Sequence, residues 1–143
     1  MNLWLILGML LSKGGVSFDV RVMNGSRDSL TVFAMVINQS ENMVQVPKYF
    51  GPAGWGLEVS FSDSEAIKDN GRRVNPWWKG GFVEVVPGGA YGRIICLSDY
   101  YKVTGDSLKA VFRLKSLSNP FSMPGFVGID VSSDAIDVRL KKK

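Results

Sequence analysis

Three sets of residues in this chain have the types that could do chemistry: the carboxylates Asp63, Glu65 and Asp69, the lone thiol of Cys96, and the rings of Tyr49, Phe50, Trp55, Trp77 and Trp78. Closely spaced acids suggest an oxygen cage for calcium. Their spacing departs from an EF-hand loop, whose closing bidentate Glu is also missing, and oxygen-rich surface turns explain them better. Asp69-Asn70-Gly71 is itself a turn signal. Cys96 follows Ile94 and Ile95 and precedes Leu97, an apolar run in which it reads as a buried, inert thiol and not as a nucleophile. The aromatic residues lie in two Gly/Pro-rich stretches, 47–56 and 75–81. Loop-borne Tyr and Trp are typical interface anchors, which makes these five the candidate binding residues. The alternative is that the rings close one end of a sandwich as core plugs.

The chain contains no histidine. Ser-His and Cys-His triads, histidine general bases and His-based zinc sites are therefore excluded. A carboxylate pair for glycoside hydrolysis must face across a sugar cleft, whereas the acids here are scattered over turns and wet strand faces. Gly88-Gly89-Ala90-Tyr91-Gly92 follows one strand and opens another, so it is not a phosphate loop leading into a helix. No Ser-x-x-Lys motif occurs, the nearest approach being Ser12-Lys13. The expectation is a non-catalytic chain with no cofactor and no metal.

A chain of 143 residues suits one domain, and 45% hydrophobic against 21% charged residues favours a folded core over disorder. Four of the 17 cations are Arg139, Lys141, Lys142 and Lys143, and the remaining 13 match the 13 acids. The body is neutral and lacks the basic stripe that a phosphate backbone requires, so no nucleic-acid partner is expected. Residues 141–143 read as a solvated basic tail. One cysteine excludes an internal disulfide. Residues 3–11 form an uncharged apolar run too short to span a bilayer as a helix, followed by small residues at Ser12, Gly14, Gly15 and Ser17. This suits a signal peptide over residues 1–15, with a buried N-terminal strand or helix as the alternative. No other segment is long and apolar enough to span. The expected product is secreted or periplasmic, with its domain over residues 16–140.

Phe18, Val20 and Val22 alternate with Asp19 and Arg21, predicting a half-buried strand over 17–23. Residues 30–37 and 43–46 read as a hairpin-like pair, and 57–61 as a further strand. A strand over 82–86 is stopped by Pro87, with Gly88-Gly89 permitting the reversal into 91–97. Residues 98–105 make a corner, and Leu108, Ala110, Phe112 and Leu114 form the core face of the next strand. Residues 126–131 and 136–140 close the chain. The Asn-x-Ser sequons at Asn24 and Asn38 coincide with turns, where Asn and Ser are favoured for backbone reasons. About eight or nine short strands separated by turns predict an all-β fold, an immunoglobulin-like two-sheet antiparallel sandwich. The Tyr100-Tyr101 pair resembles the tyrosine corner of such folds.

Residues 30–38 followed by 44–47, then Gly71-Arg72-Arg73-Val74, Val86-Pro87-Gly88-Gly89 and Leu97-Ser98-Asp99-Tyr100-Tyr101, form an extended pattern. It resembles the β-sandwich that precedes the catalytic domain of deuterolysin-like and peptidyl-Lys metalloendopeptidases, and bacterial proteinase-inhibitor-like sandwiches. The resemblance covers residues 20–115 and rests on turn and corner residues. It implies the sandwich fold and, by analogy, a proteinase-inhibitor role. The chain departs from the pattern in lacking zinc-binding histidines and in carrying Gly105-Asp106-Ser107-Leu108 where a Gly-Tyr ending is usual. The functional expectation is an exported protein-binding module contacting its partner through the aromatic loops, with a carbohydrate-binding module or a proteinase inhibitor as alternatives.

Overall fold

The structure, a computed structural model, describes residues 15–52, 56–62, 67–69, 81–115 and 129–141. Within them eleven strands form an all-β sandwich whose ladders are all antiparallel. The first sheet joins β1 (Val16–Asn24) to β2 (Thr31–Asn38), whose other side pairs β7 (Ala90–Cys96). The second is built on β9 (Ser107–Lys115). One edge of β9 takes β4 (Leu57–Phe61), and the other is shared by β10 (Asp130–Ser132) and β11 (Ile136–Arg139). Two short pairs complete the fold: β3 (Val44–Pro47) with β6 (Phe82–Val85), and β5 (Ile67–Asp69) with β8 (Tyr101–Val103).

The period-two pattern decides which side chains go inside. Val32, Ala34 and Val36 of β2 and Leu108, Ala110, Phe112 and Leu114 of β9 enter one core together with Phe18, Val20, Ile95 and Leu57. Each fully buried Leu or Phe contributes roughly 1.5–3 kcal/mol of transfer free energy. Pro87 and Gly88 make the reversal before β7 a type II turn: the Gly89 N–H donates to the Val86 carbonyl at 2.8 Å, and Gly88 holds φ 82°, which L side chains rarely adopt.

Several expectations need correction. The strands number eleven, because β5 and β8, three residues long and too polar to show a pattern, add to those expected; the two closing strands are separated at Ser133. There the Ser133 N–H donates to the Phe112 carbonyl (2.7 Å), while its hydroxyl accepts the Phe112 N–H (3.0 Å). A side-chain oxygen thus stands in for the ladder between β10 and β11. The segment expected to pair with β2 as a hairpin, β3, pairs with β6 instead. Asn38 is the cause. It is 0% exposed, and its Nδ2 donates to the carbonyls of Asn42 and Val85, both at 2.8 Å, while its Oδ1 accepts the Ser40 N–H at 3.0 Å. These bonds satisfy the loop backbone with a side chain and direct the chain away from β2. They also remove the Asn38 sequon as a glycan acceptor in the folded chain.

Candidate functional site

Pro47 ends β3 opposite Phe82, the Lys48 N–H donates to the Gly81 carbonyl at 3.0 Å, and the chain then turns: the Phe50 N–H donates to the Pro47 carbonyl at 3.2 Å. The turn throws its two aromatic residues to opposite sides. Phe50 is 0% exposed, with its ring edge-on to Phe18 (centroids 5.9 Å apart) and to Tyr91 (6.1 Å). Tyr49 is 46% exposed. Phe50 is therefore a core plug and offers no contact surface, a correction to its place among the binding residues. Trp55, Trp77 and Trp78 lie outside the described residues.

The loop is fastened to β7 by side chains at period-two spacing. Tyr91 and Arg93 project from one face of that strand. The Tyr91 hydroxyl donates to the Lys48 carbonyl at 2.5 Å, and Arg93 Nη1 donates to the Phe50 carbonyl at 2.6 Å. Bonding a charged donor to a loop carbonyl fixes both groups. The Arg93 guanidinium then lies 5.6 Å from the Tyr49 ring centroid and 5.9 Å from that of Phe50, and Lys48 Nζ is 5.3 Å from the Tyr49 ring. An exposed ring flanked by two cations results. Among the described residues no ion pair joins Lys48 or Arg93 to a carboxylate.

Beside this ring a groove of about 250 Å³ runs along the outer edge of β7, between Gly51 and residues 93–96, with Asp99 and Tyr100 at its far end. Cys96 borders it. Its thiol is part-exposed and not core-buried as expected, because β7 places Ile95 inward and turns Cys96 to the other face. Ile94, on that same outer face, is 59% exposed.

Asp63 and Glu65 lie outside the described residues, and Asp69 ends β5. Among the described residues no three His, Cys, Asp or Glu side chains come together as metal ligands, and no helix is long and apolar enough to cross a membrane. A hollow of about 670 Å³ on β9 and β11 mixes Asp106, Lys109, Asp137 and Arg139 without converging on one point. Among the described residues the titration shifts fall elsewhere, on Arg113 and Asp130. The hydrogen bonds from Arg113 hold the Asp130 carboxyl below its ordinary value, and the same pairing raises Arg113.

Sequence reasoning missed Lys48, Arg93 and Ile94. One signal was available: alternation across Tyr91, Arg93 and Ile95 sends a charge to an inward position of an apolar strand. No family model matches the chain, and no curated protein matches it.

Proposed function

We propose that this chain is a non-catalytic protein-binding module, acting outside the cytoplasm, whose contact surface is the loop carrying Tyr49. The observation that carries this reading is an exposed ring beside two cations, on a turn fixed by a buried neighbour. Tyr presents much contact area with few rotatable bonds, and a turn already held by Phe50, Tyr91 and Arg93 has little freedom left to lose on binding. The strand order supports an immunoglobulin-type arrangement behind it: β1-β2-β7 in one sheet, against β9 flanked by β4 and by the closing strands in the other. Such a sandwich is a rigid base for loop-borne recognition.

The test is selection from a phage-displayed library of random linear peptides on the folded protein. The expected result is enriched peptides whose affinity falls at least tenfold for Tyr49→Ala, with the circular dichroism spectrum unchanged. Absence of enrichment, or binding indifferent to Tyr49→Ala, overturns the reading.

A further inference from the structure

We infer that the outer edge of β7 takes an extended acidic segment of a partner protein as an added strand, anchored at Arg93 and Lys48. The inference rests on the binding-module reading and states its mode and its ligand class. Among the described residues β7 is the last strand of its sheet, with β2 on one side and no strand on the other. An edge strand carries backbone donors and acceptors along its free side, and these pair with any extended chain that reaches them. The register of β7 with β2 is unbroken from Thr31↔Cys96 to Ile37↔Ala90, so the edge is straight, without a bulge. The groove along residues 93–96 is also lined by Phe50 and by Gly51, which brings no side chain into it.

Charge selects the occupant. Natural edges deter indiscriminate pairing with an inward-pointing charge, and Arg93 is such a charge. A purely apolar strand laid beside it would bury a guanidinium without a counterion, whereas a strand bringing a carboxylate to the Arg93 end satisfies it. Lys48, whose Nζ lies 5.3 Å from the Tyr49 ring centroid, adds a second cation. The partner segment is therefore acidic at the position lying against Arg93. Ile94, projecting from the strand on the outer face, receives an apolar side chain of the added strand at the matching position.

The experiment starts from the peptides selected on the wild-type chain. Each is resynthesised in two versions, N-methylated at even or at odd peptide bonds. An added strand uses only one of its two edges, so one version loses tenfold or more in affinity and the other binds as before. The selected peptides are enriched in Asp or Glu. Arg93→Gln weakens them at least tenfold, and Arg93→Glu inverts the preference toward basic peptides. Arg93→Gln keeps the charge test valid should Arg93→Glu fold poorly. Tolerance of both methylated versions, or selected peptides without acidic enrichment and indifferent to Arg93→Gln, overturns the inference. Peptides that need Tyr49 but fail these edge tests leave the binding module standing and remove the added strand. A library that yields no peptide removes both.

Discussion

The three-stranded sheet has two edges, and they are built differently. At β1 the register breaks between Val22 and Asn24, a bulge that bends the strand. Asp19 and Arg21 face solvent there as an ion pair at 2.9 Å, and β10 and β11 lie against the strand. The chain beyond adds a bridge from Ser26 to Lys141. These are ordinary devices for keeping an edge from pairing with another chain. At β7 the register is unbroken, and among the described residues no ion pair lies along the strand, although β6 lies against it. That edge is straight, exposes Ile94, and relies on a single inward charge, itself fastened to a neighbouring loop. One edge is closed by structure and the other is guarded by chemistry, and a guard of that kind admits whatever neutralises it.

The largest effect expected on this contrast comes from Phe50, whose ring touches Phe18 of β1 and Tyr91 of β7 and so supports both edges from inside. Phe50→Ala removes a fully buried aromatic residue and costs about 3–5 kcal/mol in urea unfolding. Its neighbour supplies the control: Tyr49→Ala at the exposed position stays within about 0.5 kcal/mol of wild type. Equal losses at the two positions would mean that the turn does not separate core from contact surface.

Gly92 sits mid-strand on β7, and a Cβ there would stand 2.5 Å from Phe33 Cζ. Gly92→Ala therefore displaces the Phe33 ring that covers the open-edge strand from outside, for a net loss of about 1 kcal/mol, near the low end of overpacking costs because the ring can swing toward solvent. Combining it with Phe33→Leu, which frees the space, recovers most of the loss in the double variant. Strict additivity of the two substitutions would show that ring and glycine do not interact.

Much of this fold was legible because alternation is a local signal. The strands β1, β4 and β9 lie within a residue or two of the predicted bounds, since their apolar residues recur at every second position, and β7 does so because Pro87 to Gly89 set its start. The turn at Val86–Gly89 was legible because Pro and Gly impose backbone angles directly. Pairing was not. That β3 joins β6 depends on Asn38 bonding a carbonyl far along the chain, and a buried side-chain hub leaves no periodic trace. The same limit applied to the site. Tyr49 and Phe50 are adjacent aromatic residues of equal promise in sequence, and only the turn after Pro47 assigns one to the core and the other to solvent. Arg93 acquires its role from a loop more than forty residues earlier.

On the surface the contrast between the edges predicts smaller effects. Ile94→Lys on β7 changes stability by about 0.5 kcal/mol or less, since the side chain is already exposed, yet it raises the salt needed to precipitate the protein by removing an apolar edge residue. Unchanged solubility would argue that the β7 edge is already shielded.

The smallest effect concerns the strand that covers β1. β10 is joined to β9 by a forked ion pair, Arg113 Nε to Asp130 Oδ1 at 2.7 Å and Nη2 to Oδ2 at 2.6 Å. Because these hydrogen bonds favour the carboxylate, the Asp130 pKa lies below its reference value of 3.8 when folded. A depressed pKa contributes stability that is fully present above 3.8 and is lost as pH falls through the folded value. Hydrogen exchange at the β10 amides, read against the β7 amides of the same sample and corrected for intrinsic rates, should therefore accelerate below that pH in the wild type. In Asp130→Asn the β10 amides exchange faster already at neutral pH and show no further step on acidification. The β7 amides, which no such pair supports, follow the same profile in both proteins. Loss of protection at both edges in parallel would mean that the fork stabilises the sandwich as a whole and not the cover of β1.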